Sequence, residues 1–181
     1  MELHNELENL KYPVGKWSKS EHYSHADIQD SIHDIETLPS QLIQLVQDLS
    51  EEQIQKRYRP DGWTIRQVIH HLPDSHMNAY IRHKLAVTEL TPKITPYKES
   101  LWADMADVQL SIQISLQLLD SLHQRWVIFL KSLGDDELVK DFYHPEHKRK
   151  ISLKESLSMY AWHSRHHLSH VKNAIAQPYG D

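Results

Sequence analysis

From Asp27 onward, Ile28, Ile32, Ile35, Leu38, Leu42, Leu45 and Leu49 recur at three- and four-residue steps, the spacing of one helix face. Pro39 falls inside that run and predicts a kink or short break, because proline removes a backbone donor and crowds the preceding turn. Ser50-Glu51-Glu52-Gln53 has the form of a capping box and predicts a short helix before the turn at Pro60-Asp61-Gly62. A second box, Thr64-Ile65-Arg66-Gln67, opens a helix with Ile65, Val68, Ile69, Leu72, Ala79, Tyr80 and Leu90 on its inner side and Pro73 within it. Residues 91–100, with Pro92 and Pro96, predict a loop.

A third long helix is expected through Ile112, Leu116, Leu119, His123, Trp126, Leu130 and Leu133, stopping at Gly134 as a C′ residue. Residues 135–151 predict a short helix and then an irregular stretch around His144-Pro145-Glu146. Ser152-Leu153-Lys154-Glu155 is a third capping box, launching a last helix to about Ala176. Residues 1–23 carry Pro13, Gly15 and mixed polarity and read as an extended N-terminal arm, leaving 24–181 as a single domain. Four long helices joined by loops of ten residues or more predict an all-α fold, an antiparallel four-helix bundle.

Composition narrows the chemistry. The four glycines, at 15, 62, 134 and 180, lie too far apart to share a phosphate-cradling loop, which excludes a P-loop, a Rossmann fingerprint and a nucleophile elbow. The absence of cysteine excludes disulfides, thiolate ligands and a cysteine nucleophile. With 20 basic against 25 acidic residues and no long basic run, nucleic acid is not an expected partner. No apolar stretch approaches the ~18 residues of a membrane span, and the N-terminus lacks a signal-peptide layout. The expectation is a cytoplasmic protein with no membrane partner.

The unusual number is 15 histidines. Two pairs have i,i+4 spacing, His163/His167 and His166/His170, little more than this abundance supplies by chance. Direction adds more. Relative to the apolar line through Leu153, Leu157, Tyr160, Leu168, Val171 and Ile175, His167 lies about 65° away and His163 about 105°, on one flank. His166 falls nearly opposite, about 165° away, and reads as solvated. His163 and His167 thus stand one turn apart at the edge of the core face, where a metal between two helices would sit. A catalytic zinc takes three protein ligands, so a third is sought on another helix. His70, His71 and His76 are candidates; the wheel favours His71 slightly over His70 and places His76 in the core.

The run from Gly62 to Asn78, Gly-Trp-Thr-Ile-Arg-Gln-Val-Ile-His-His-Leu-Pro-Asp-Ser-His-Met-Asn, resembles the motif of the YfiT-like metal-dependent hydrolases of the DinB superfamily. The likeness continues through Tyr12-Pro13-Val14-Gly15, Leu122-His123-Gln124-Arg125-Trp126, Tyr143-His144-Pro145-Glu146 and Tyr160-Ala161-Trp162-His163-Ser164-Arg165-His166-His167. It implies a four-helix bundle binding one divalent metal through three histidines, by position His71, His163 and His167. The last two are the pair the wheel prefers. Pro73, where alanine or similar is expected, and Arg165 depart from the pattern without removing a ligand. The resemblance also implies a homodimer acting on a small-molecule substrate.

Three neutral imidazoles would leave the ion's full charge to lower the pKa of a bound water toward 7, which supports hydrolysis. Between His163 and His167 stands Ser164-Arg165-His166, without the glutamate of His-Glu-x-x-His, so the general base is unknown; Asp74, Glu146 and His76 are candidates. An alternative needs no base: a low-molecular-weight thiol such as bacillithiol, deprotonated by the metal, makes the protein a thiol S-transferase. A further alternative is a non-catalytic metal-binding stress protein. Zinc is the expected ion, with nickel also suited to all-nitrogen ligation. Trp63, Trp102, Trp126, Trp162 and Tyr160 read as packing, with Trp63 anchoring a turn and Trp162 able to wall the site. Specificity is expected from the loops at 91–107 and 141–151 and from the arm.

Overall fold

A computed structural model of the chain describes residues 2–176, so the last five residues of the expected domain lie outside the described ones. In order come α1 (Glu2–Lys11), α2 (His25–Val46), α3 (Glu51–Ile54), α4 (Ile65–Thr88), α5 (Glu99–Trp102), α6 (Ile112–Lys131), α7 (Asp135–Leu138), β1 (Asp141–His144), β2 (Arg149–Ser152) and α8 (Leu153–Ala176). The long helices α2, α4, α6 and α8 form the four-helix bundle. Ser50 and Thr64 cap α3 and α4 with the reciprocal side-chain bonds their sequences predict. Ser24 does the same with Asp27 at the start of α2. The box at Ser152 is half made: its hydroxyl accepts from the Glu155 N–H at 3.3 Å, while the buried Glu155 carboxylate pairs with Arg149 and Lys19.

Two apolar clusters fill the two ends of the bundle and fix the sense of its helices. One joins Leu38, Leu42 and Val46 of α2, Ile65, Ile69 and Leu72 of α4, Ile112 and Leu116 of α6, and Leu168 and Val171 of α8. The other joins Ile28 and Ile32, Ala79, Trp126 and Leu130, and Leu157 and Tyr160. The late half of α2 therefore meets the early halves of α4 and α6. α2 runs antiparallel to α6, α4 antiparallel to α8, and the consecutive helices α4 and α6 run in the same direction. A tight turn cannot join parallel neighbours, so residues 89–111 travel back along the bundle, carrying α5 and a 3-10 turn at Ala106–Gln109.

Several local expectations change. The arm is not extended throughout, since Glu2–Lys11 is helical before Pro13 and Gly15 end the element. It lies on its own chain along α8: Trp162 donates to the Gly15 carbonyl at 2.9 Å and Lys19 pairs with Glu155 at 3.2 Å. α6 ends at Lys131, and Gly134 is the N-cap of α7 with φ −84°, not a left-handed C′ residue. The stretch after α7 is an antiparallel hairpin pairing Phe142 with Ile151 and His144 with Arg149. Each strand turns too few apolar residues inward for periodicity to reveal it. α2 runs unbroken through Pro39 and α4 through Pro73.

Candidate metal centre

α4 and α8, packed antiparallel, bring His71, His163 and His167 together. One ring nitrogen from each lies within 4.8 Å of the others, and the Nε2 atoms of His71 and His163 are 3.3 Å apart. An ion bound tetrahedrally at 2.0–2.1 Å holds its nitrogens about 3.3 Å apart, so this edge already fits zinc without rearrangement. Burial, reinforced by the neighbouring imidazoles, holds all three rings well below the ordinary histidine range, His71 at about 4. They are thus neutral at pH 7, the state that ligates. Trp63 packs on His71 and His167 with ring centroids 4.8 and 6.3 Å away, so it walls the cluster as well as leading into α4. The cluster floors a cavity of about 400 Å³ lined by Tyr12, Tyr58 and Trp162 among others.

His70, one residue from His71, is committed elsewhere. Its Nε2–H donates to the Leu110 carbonyl at 3.2 Å, and Nδ1 takes the Ser115 hydroxyl at 2.7 Å. His76 is fully buried, as its wheel position predicts, and belongs to a string of imidazoles. His123 Nδ1 lies 2.6 Å from the Ile35 carbonyl, His123 Nε2 lies 2.8 Å from His76 Nδ1, and His76 Nε2 lies 3.0 Å from His163 Nδ1. A carbonyl only accepts, so His123 carries its proton on Nδ1. With neutral rings that leaves one arrangement: His76 donates from Nδ1 to His123, and His163 donates from Nδ1 to His76. His163 Nε2 is left as an acceptor, its lone pair facing His71 Nε2 at 3.3 Å and able to take either that ring's proton or a metal ion. The Ile35 carbonyl is available because the residue four positions on is Pro39, which has no N–H to give it.

His166 is not solvated. It is 7 % exposed, stacked on Trp162 at 4.4 Å and facing Tyr12 at 6.1 Å, because the arm covers that face of α8. His170 stacks on Tyr58 at 3.7 Å and donates from Nε2 to the Lys11 carbonyl at 3.2 Å. His166, His167 and His170 also fall within 4.8 Å of one another, but this second group shares His167 with the first.

Of the candidate bases, His76 has both nitrogens occupied in the string. Asp74 lines neither cavity at the cluster, though burial and then Asp107 raise its carboxyl to about 6. Glu146 lines a second cavity of about 470 Å³, which adjoins the first at His163. Sequence reasoning missed Glu99, which lines both cavities; its one signal was membership of the loop expected to set specificity. The arm, the 96–100 segment and the 144–147 turn all contribute to these walls.

Fold and site together define a helical bundle whose long helices gather three neutral imidazoles beside open cavities, a constellation suited to a divalent ion. The DinB superfamily profile matches residues 34–171. A Bacillus cereus (strain B4264) protein named "Putative metal-dependent hydrolase" is 46 % identical over 165 residues, covering 91 % of this chain and 95 % of its own. A Bacillus mycoides (strain KBAB4) protein with the same description has the same identity and coverage. The structure of YfiT from Bacillus subtilis, described as "a probable metal-dependent hydrolase with an unusual four-helix bundle topology", superposes with a TM-score of 0.88 at 42 % identity, over 93 % of this chain and 97 % of that one. A mycothiol-dependent maleylpyruvate isomerase shares the fold at a TM-score of 0.64 and 14 % identity, over 80 % of this chain and 60 % of its own. The chain belongs to the DinB superfamily and is YfiT-like within it.

Proposed function

We propose that the protein is a metal-dependent hydrolase of a small molecule, with His71, His163 and His167 holding one divalent ion, zinc by the fit of the nitrogen spacing. The observation that carries this reading is the 3.3 Å approach of two ring nitrogens, completed by His167, at the floor of an open cavity. When bound there, the ion supplies Lewis acidity and brings the pKa of a coordinated water toward 7. The protein's own groups do the rest. The imidazole string fixes the ring of His163, Trp63 shields the cluster, and the role of taking a proton from water falls in this reading to Glu99, which lines both cavities.

A thiol S-transferase is the second reading, and one observation favours it. Two cavities of about 400 and 470 Å³ meet at His163, which gives room for a low-molecular-weight thiol such as bacillithiol and an acceptor together. Elemental analysis of untagged protein tests the common part. About one ion per chain is expected, lost in His71→Ala and His167→Ala while the helical circular dichroism remains; metal-free wild-type protein after gentle purification overturns both readings. Turnover without added thiol that falls in Glu99→Gln supports the hydrolase. Turnover that requires thiol and survives Glu99→Gln supports the transferase. Stoichiometric metal with no turnover under either condition leaves a non-catalytic metal-binding protein.

A further inference from the structure

The second cavity, about 470 Å³, has His163 at one side and is otherwise built from residues outside the histidine cluster. On its wall stands Arg82, 8 % exposed. Its Nη2 donates to the Thr95 carbonyl at 3.2 Å, and among the described residues it makes no ion pair. The contrast with Arg66, 6 % exposed and paired with Glu51, is direct. Guanidinium stays protonated at any working pH, and a buried charge without a partner is unfavourable. A counter-charge is therefore to be expected from whatever enters the cavity.

The surroundings of Arg82 are polar and incompletely satisfied. Tyr160, 4 % exposed, lies beside it; burial raises the phenol, and the Arg82 charge and hydrogen bonds from Ser75 and from Arg82 itself oppose the rise. Its hydroxyl is thus a protonated donor. His144, 8 % exposed, has a buried Nδ1 without a hydrogen-bond partner. Burial, then His147 and Arg82, push this imidazole down to about 4. Two carboxylates, Glu99 and Glu146, are exposed on the cavity's rim and beyond ion-pair distance of Arg82. Lys98, also on this lining and exposed, offsets one of them, so Arg82 is the one buried cation of the lining.

We propose that this cavity is a carboxylate-binding subsite, in which Arg82, the Tyr160 hydroxyl and His144 receive the carboxylate of a small substrate whose reacting bond lies toward His163. The planar guanidinium matches a carboxylate edge to edge. A phosphate dianion would bring a second charge that the single buried cation, Arg82, does not neutralise. The cavity's volume falls in the range of small-ligand pockets, roughly 300–1,000 Å³. The inference names the substrate class of the site proposed above and so rests on that reading.

The test uses 15N-labelled protein, both as purified and after chelation, with the Arg82 Nε–H signal assigned by its loss in Arg82→Lys. Acetate, benzoate, benzamide and inorganic phosphate are titrated in turn. Benzoate or acetate is expected to move the Arg82 signal saturably in the metal-free protein. Benzamide should leave it in place, and phosphate should bind about tenfold more weakly or worse. Arg82→Lys, checked for folding by circular dichroism, should weaken benzoate about tenfold or more. An Arg82 signal unmoved by either carboxylate, equal response to benzamide, or phosphate binding as tightly as benzoate overturns the subsite, and the wild-type titration decides this even where the variant does not fold. Zinc content measured on the same samples separates the two readings. Protein that takes zinc but leaves Arg82 unmoved by carboxylates loses the subsite alone. Protein that binds benzoate at Arg82 but takes no zinc keeps the subsite and loses the metal centre.

Discussion

Two strings of buried groups cross this bundle through histidine, and they end differently. In one, Trp126 Nε1–H donates to His83 Nδ1 at 3.2 Å and His83 Nε2–H donates to Ser156 Oγ at 2.8 Å. Each nitrogen of that imidazole is spent on the protein, and no lone pair is left over. In the other, the Ile35 carbonyl, His123, His76 and His163 are joined in series, and the last ring turns its Nε2 lone pair to a cavity and to another imidazole, His71 Nε2 at 3.3 Å. Burial and neutrality are common to both. What separates a packing histidine from a candidate ligand is whether the donor and acceptor count closes inside the protein.

The largest expected effect breaks the closed string. His83→Leu strands the Trp126 N–H and the Ser156 hydroxyl in the core, at a cost of about 3 kcal/mol, while metal content should stay as in wild type. Urea unfolding with elemental analysis reads both. Acid sharpens the same contrast. Burial holds His83 at about 3, so the native ring stays neutral while the unfolded one binds a proton below about 6.5. Its contribution is complete above pH 6.5 and is lost as pH falls toward 3, with a slope of about 1.4 kcal/mol per pH unit. The gap between wild type and His83→Leu in the metal-free protein should therefore narrow by about 2 kcal/mol from pH 6.5 to 5. A gap that stays constant would show that His83 is protonated when folded.

How much of this was legible in the sequence depends on how each residue's environment is made. The long helices, the capping boxes at Ser50 and Thr64 and the flank shared by His163 and His167 follow from periodicity along one helix, and the chain contains that information locally. His71 needed more, because the wheel favoured it over His70 only slightly, Pro73 disturbs the projection, and the likeness to known relatives had to separate the two. His166 was misread because a wheel knows its own helix and not the arm laid over it by Tyr12. The hairpin at 141–152 escaped because each strand turns a single large apolar residue, Phe142 or Ile151, into the core. The parallel sense of α4 and α6, and with it Glu99 and Arg82 at the cavities, depends on the path of residues 89–111 and has no periodic signature. Pro39 was read for what it removes from α2, whereas its consequence appears across the bundle at His123.

The next effect opens the other string at its middle. His123→Phe keeps the ring volume but gives His76 Nδ1–H no acceptor and releases the Ile35 carbonyl. Groups that orient a ligand imidazole are worth about 10- to 100-fold in metal affinity, so chelator competition should show zinc binding weakened by that factor with stoichiometry still near one. In metal-free wild-type protein, nitrogen NMR should find the His163 proton on Nδ1, and in His123→Phe a mixture of the two tautomers. Affinity and tautomer both unchanged would reduce the string to packing and erase its difference from the one through His83.

The smallest effect acts at the far end, on the carbonyl that starts the string. Pro39→Ala returns an N–H to α2 four residues after Ile35, so the carbonyl gains its helical donor. The oxygen has a second lone pair for His123, which bends the hydrogen bond without abolishing it, and zinc affinity should fall less than about fivefold. Stability should move the other way. Alanine is favoured over proline in a helix interior by up to about 3 kcal/mol, and the freer unfolded chain gives back about 0.4–1 kcal/mol. Urea unfolding of the metal-free variant is therefore expected to show a gain of about 1–2 kcal/mol. Opposite signs for the two measurements would tie the proline to the cluster, because generic stiffening of α2 would raise stability and affinity together. An affinity that rises with stability would mean that helix packing holds His123 and that the freed carbonyl does not.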